Sequence, residues 1–130
     1  MSEKLLPKPV IINSVVDTLS ETEPQFIRIN AWPTFLRRTI TEVCTAKEKY
    51  ETVKQVFNKL GWQYKIVPDI TGMVSARIVA AIINEAYHTL GAGISSKEDI
   101  DTAMRLGTNY PYGPFEWCRQ IGKASVLELL

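Results

Sequence analysis

Apolar positions along the first 43 residues come in short runs. Val10-Ile11-Ile12 and Val15-Val16 flank Asn13-Ser14, and Phe26-Ile27-Arg28-Ile29-Asn30 alternates before Ala31-Trp32-Pro33. Both runs predict short strands, and residues 39–44, β-branched around Glu42, predict a third. Ser20, Glu21, Thr22, Glu23 and Pro24 predict an exposed loop between them. From Thr45 the period becomes mostly helical. Thr45 and Glu48 have capping-box spacing, and Tyr50, Val53, Val56, Phe57 and Leu60 keep one helix face up to Gly61. Residues 62–67 predict a short strand closed by Pro68.

Residues 73–90 predict a long amphipathic helix. Its buried stripe is expected at Val74, Ile78, Ile82, Ala86 and Leu90, with Arg77, Asn84 and His88 on other faces and Gly91-Ala92-Gly93 as terminator. Ser95 and Glu98 suggest a second capping box, Ile100, Ala103 and Met104 a buried face, and Gly107 a left-handed C-terminal residue. Pro114 suits the first position of a helix carrying Phe115, Cys118 and Ile121, and residues 123–130 predict a last helical stretch. The fold expected is α+β and predominantly helical: a small, partly parallel strand layer with one helix over residues 1–68, then a helical bundle over 69–130, in one folding unit.

Composition narrows the function. With 130 residues, 45% of them hydrophobic and 22% charged, the chain can bury one core. Fifteen Lys and Arg against 14 Asp and Glu lack the basic excess of a nucleic-acid binder. No apolar run approaches the roughly 20 residues of a membrane span. The start, Met1-Ser2-Glu3-Lys4, reads as a natural beginning without a targeting segment. Two distant cysteines, Cys44 and Cys118, are expected as buried free thiols in a reducing cytoplasm.

His88 is the only histidine, which excludes a His-based triad or a two-histidine metal site within one chain. The cysteines have no CxxC or CxxH neighbours to complete a zinc site, so no metal is expected. The one GxG, Gly91-Ala92-Gly93, follows a helix and has Ser96 where GxGxxG needs its third glycine. Two segments stand out: Pro68-Asp69-Ile70-Thr71-Gly72 at a strand-to-helix junction, and Tyr110 to Glu116 before a helix. Each can line a site, and each has a structural alternative: Asp69 or Thr71 as a helix cap, and the Pro/Gly pair as a fixed turn.

Together these segments resemble the 3-hydroxyacyl-CoA dehydrogenase family, in particular its C-terminal helical domain. The family pattern Val-x-Asp-x-x-Gly-Phe-Val-x-Asn-Arg reads here from Val67 through Asp69, Gly72, Met73, Val74 and Ala76 to Arg77, followed by Asn84-Glu85-Ala86. The stretch from Glu98 to Gly107 and Tyr110-Pro111-Tyr112-Gly113-Pro114-Phe115-Glu116 look like its next two signatures. A weaker likeness runs back to about residue 9, through Asn13-Ser14, Ile29-Asn30-Ala31-Trp32-Pro33 and Glu42-Val43.

The resemblance implies the last strands of a Rossmann-type nucleotide domain followed by the helical domain, without the initial βαβ units that bind NAD. Family members oxidise 3-hydroxyacyl-CoA with a histidine base, a glutamate that orients it, and a serine and an asparagine at the substrate. Glu42 matches the glutamate. The histidine position carries Ile29, or Asn30 with a one-residue slip; the asparagine position carries Ala76; the serine position carries Val15, or Ser14 with a slip. Without its histidine, Glu42 is expected to pair with Arg37 or Arg38.

Three readings follow. The chain supplies an acyl-CoA-facing surface to a separate NAD-binding chain, with NAD held only through that partner; it binds acyl-CoA without turnover, with Ser14 and Arg77 as candidate ligand contacts; or it is a homodimer built on its helical faces.

Overall fold

In the computed structural model, which describes residues 8–130, four short strands make one mixed sheet in chain order. They are β1 (Ile11–Asn13), β2 (Ile27–Ile29), β3 (Ile40–Cys44) and β4 (Gln63–Ile66). β1 runs parallel to β2 with Ile11 opposite Ile27, β3 antiparallel to β2 with Ile29 opposite Val43, and β4 parallel to β3 with Glu42 opposite Lys65. A parallel pair needs a crossover, and α1 (Tyr50–Leu60) supplies it between β3 and β4. Its Val53 and Phe57 pack against Ile27, Ile29 and Val43, and Gly61 closes the helix at φ 66°. Residues 1–4 and Pro7 lie outside the described residues.

The remaining elements are α2 (Ser75–Gly91), α3 (Lys97–Thr108), α4 (Pro114–Ile121) and α5 (Lys123–Leu127). Their shared core holds Ala76, Val79, Ala80 and Ile83 of α2, Trp117 and Cys118 of α4, and Val126 and Leu129 at the chain end. Val15, Trp32 and Phe35 from the strand half complete it. The sheet and the bundle therefore share buried side chains. None of the described helices is long and apolar enough to cross a membrane.

Several local expectations are corrected. Val15-Val16 is not a strand: Val15 is buried under the helices, and its carbonyl accepts the Gly72 N–H at 2.8 Å. Thr45 does not cap α1, because its hydroxyl donates to the Phe26 carbonyl at 3.1 Å and a 3₁₀ turn at Lys47–Lys49 precedes the helix. The buried stripe of α2 is Ala76, Val79, Ala80, Ile83 and Ala86, while Val74 and Ile78 are 45% and 56% exposed. α2 is apolar over two adjoining faces, and small alanines let the neighbouring helices approach one of them. α3 is capped by Ser96, not Ser95, through the Asp99 N–H at 3.1 Å; it ends at a left-handed Asn109, with Gly107 inside it and Ala103 exposed.

Candidate functional site

Pleating of β3 buries Thr41 and Val43 and turns Glu42 toward a cleft, half-buried. The junction after β4 brings the start of α2 against this strand. Glu42 Oε1 accepts the Ser75 backbone N–H at 2.9 Å and the Ser75 hydroxyl at 3.0 Å, so the carboxylate caps a helix from another element. Its Oε2 accepts the Asn30 amide at 3.2 Å. Asn30 is buried just past β2, where its Oδ1 also takes the Trp32 N–H at 3.2 Å.

Arg38 completes the cluster. Its Nη1 donates to Ser75 Oγ at 3.2 Å, and its guanidinium carbon lies 4.5 Å from the Phe35 ring centroid. The cleft has a volume of about 650 Å³ and is lined by Arg37, Arg38, Glu42, Lys65 and Ser75 among others. That volume is in the range of small-molecule sites. Three cations against one hydrogen-bonded carboxylate favour an anionic ligand. A small annex of about 70 Å³ shares Arg38 and Ser75 and continues to Val79, Tyr110 and Trp117. Asn30 holds no titratable proton, so the side chain facing Glu42 orients the carboxylate without serving as a base.

The structure decides between the two histidine-position alternatives: Asn30 faces Glu42, whereas Ile29 lies in the sheet core. The expected pairing of Glu42 with Arg37 or Arg38 is not made. The ion pairs among the described residues are Arg28–Asp69 and Arg105–Glu116, and Arg38 reaches Ser75 instead. Ser14 stands apart, its hydroxyl directed to the Asp17 carbonyl at 3.4 Å in a polar groove with Ser125 and Glu128. Arg77 is exposed and donates to the Thr71 carbonyl at 3.3 Å, away from the cleft lining. Ala76 is buried on the inner face of α2, and His88 is exposed near the far end of that helix.

Asp69 does not cap α2. It pairs with the fully buried Arg28, accepts the Leu19 N–H at 3.0 Å, and takes the Cys44 thiol at 3.4 Å. Burial, with the Asp69 charge behind it, pushes the Cys44 thiol up to about 11. Both cysteines are free and buried. The turn before α4 is chiefly structural: Asp101 accepts the Phe115 and Glu116 N–H groups, and Glu116 accepts the Gly113 N–H at 3.0 Å. Sequence reasoning named Arg38 only as an ion-pair partner for Glu42, and it missed Ser75 and Lys65. The available signal was the Arg37-Arg38 pair placed two residues after an aromatic with no acid beside it.

NAD is the cofactor the resemblance implies, and its pyrophosphate needs a glycine turn at a helix N-terminus with open space above it. Gly72 precedes α2, but a Cβ there would meet Arg77 Cγ and Leu129 Cδ2 at 2.7 Å, so protein fills that space. Gly113 at the start of α4 is covered by the Asp101 carboxylate. Gly61 and Gly93 follow the C-terminal ends of α1 and α2, and Gly122 precedes a helix of five residues. None of these glycines offers a pyrophosphate an open turn at the start of a long helix. No group of three or more His, Cys, Asp or Glu among them could hold a metal ion.

A family model described as "3-hydroxyacyl-CoA dehydrogenase, C-terminal domain" matches residues 72–130. A 3-hydroxyadipyl-CoA dehydrogenase of Escherichia coli K12 is 55% identical over 64 residues, 49% of this chain and 14% of that protein. A 3-hydroxybutyryl-CoA dehydrogenase of Bradyrhizobium diazoefficiens is 35% identical over 91 residues, 70% of this chain and 31% of that protein. The crystal structure of (S)-3-hydroxybutyryl-CoA dehydrogenase from Ralstonia eutropha superposes with a TM-score of 0.73 at 27% identity, covering 93% of this chain and 46% of that one. The chain thus spans less than half the length of each of these relatives. Through residues 72–130 the chain belongs to the 3-hydroxyacyl-CoA dehydrogenase family, as its C-terminal domain.

Proposed function

We propose that this chain binds an acyl-CoA ester in the cleft at Glu42, Ser75 and Arg38 and does not oxidise it alone. The observation that carries this reading is the Asn30 amide hydrogen-bonded to Glu42 where a proton acceptor is required. Removing a general base costs roughly 10²- to 10⁴-fold in rate, and an absent hydride acceptor stops the reaction altogether. The names of the two curated relatives supply the ligand class, and the cationic rim of Arg37 and Lys65 suits its phosphates. NAD enters only with a separate nucleotide-binding chain, and the pair would serve acyl-CoA metabolism. Free buried thiols suit a reducing compartment such as the cytoplasm.

The test is calorimetric titration of acetoacetyl-CoA into the purified chain, paired with an NADH-consumption assay. Saturable heat at micromolar ester with unchanged NADH is the expected result. Absence of heat at millimolar ester overturns the binding role, and NADH consumption by the chain alone overturns the non-catalytic one.

A second reading, a homodimer, is favoured by an apolar groove of about 340 Å³ lined by Ile82, Ala86, Ile100, Ala103 and Met104. Sedimentation at rising concentration tests it, with a monomer at all concentrations counting against it.

A further inference from the structure

Trp117 carries the one buried side-chain polar atom among the described residues that has no hydrogen-bond partner, its indole Nε1. Native interiors rarely leave such a donor unmatched, and one that persists beside a cavity points to a missing acceptor. Trp117 is 1% exposed, and it forms part of the wall of the small annex, which borders the cleft at Arg38 and Ser75. Arg38 lines that annex too. Its guanidinium rests against the Phe35 ring and spends one donor on Ser75 Oγ. A guanidinium has five donors, and Arg38 has no carboxylate partner among the described residues.

The annex of about 70 Å³ takes a group the size of a carboxylate and excludes a nucleotide. Ile78 and Val79 add apolar wall that suits the methylenes leading to such a group. No carboxylate among the described residues lines the annex, and in the adjoining cleft the two oxygens of Glu42 are engaged by Ser75 and Asn30. The wider cleft, with Arg37 and Lys65, is the part with room for the rest of the ligand.

Resting on the acyl-CoA reading above, we infer that the annex receives the terminal carboxylate of a dicarboxylic acyl chain, with Arg38 and the Trp117 indole N–H as its donors. Arg38 would then select acyl chains by their far end, a role separate from holding the CoA portion.

The test compares adipyl-CoA with hexanoyl-CoA, esters of equal chain length that differ in the terminal carboxylate, by calorimetry on the full chain. Wild type is expected to bind adipyl-CoA at least tenfold more tightly, and Arg38→Met and Trp117→Phe each to bring that ratio toward one. Equal affinity of wild type for both esters overturns the inference and leaves the acyl-CoA reading standing. If neither ester binds, the acyl-CoA reading fails and the inference with it. An Arg38→Met variant that weakens both esters and free CoA equally assigns Arg38 to the nucleotide phosphates and overturns the carboxylate assignment. The wild-type comparison needs no variant, so loss of folding in a variant leaves the test intact.

Discussion

Asp101 Oδ1 accepts the backbone N–H of Phe115 at 2.8 Å, so a carboxylate on α3 closes the start of α4 from outside that helix. Its Oδ2 takes the Glu116 N–H at 3.2 Å, and Gly113 leaves the space that the carboxylate occupies. Asp101→Ala strips two N–H groups of their acceptors and should cost about 1–3 kcal/mol of stability. Gly113→Ala should cost at least as much, because its Cβ would overlap the carboxylate. Urea unfolding of both variants checks this, and an unchanged midpoint for either would contradict it.

Asp69→Ala should be the more damaging single change. Arg28 is fully buried, with Nε on the Ser14 carbonyl at 3.0 Å and Nη2 on the Val15 carbonyl at 3.2 Å, and Asp69 supplies its countercharge. Leaving that guanidinium without an anion is expected to cost about 3–5 kcal/mol. Asp69→Asn keeps an acceptor for the Leu19 N–H and should lose less. Calorimetric melting of the two variants would rank them, and the reverse order would refute the account.

Glu42→Ala should cost about 1–2 kcal/mol through the uncapped start of α2, since Ser75 then loses its acceptor. Glu42→Gln should cost less, because its carbonyl oxygen can still accept the Ser75 N–H. Equal losses in guanidinium unfolding would mean that the charge matters and the cap does not.

At high pH the Cys44 thiol gives a signed prediction. Its value of about 11 in the folded chain lies above the ordinary 9.0, so the folded state holds its proton where the unfolded state releases it. Stability should therefore be full below about pH 9 and decline as the pH rises toward 11, less steeply in Cys44→Ala. In native protein at pH 8, Cys44 should resist thiol reagents until denaturant is added. At the acid end the Gly113 N–H, aided by the Arg105 charge, holds Glu116 below the usual carboxylate range. Its contribution is present above that range and is lost as the pH falls through the lowered value, so Glu116→Gln should flatten the acid limb of the stability profile.

Much of the architecture was readable because local rules and tertiary packing agreed. Gly61, Pro114 and the two helical periods marked α1 and α4 from spacing alone, and Glu42 stood out through family likeness. Thr45 shows where such reading fails: a capping signature is overruled when a distant carbonyl, here that of Phe26, claims the hydroxyl. The face of α2 was misplaced because its apolar residues cover two adjoining stripes, and only the alanines reveal which one touches a neighbour. Arg38 and Ser75 meet through a turn and a crossover, and periodicity carries no information about such encounters.

Val15, Trp32 and Phe35 lie among the side chains of α2, α4 and α5, although they precede α2 by about 40 to 60 positions in the chain. Residue 72, where the match to the family's C-terminal-domain model begins, is thus a border of that model and not of cohesion. A polypeptide cut there would carry a wound in its interior, with Trp117 stripped of the Phe35 ring beside it.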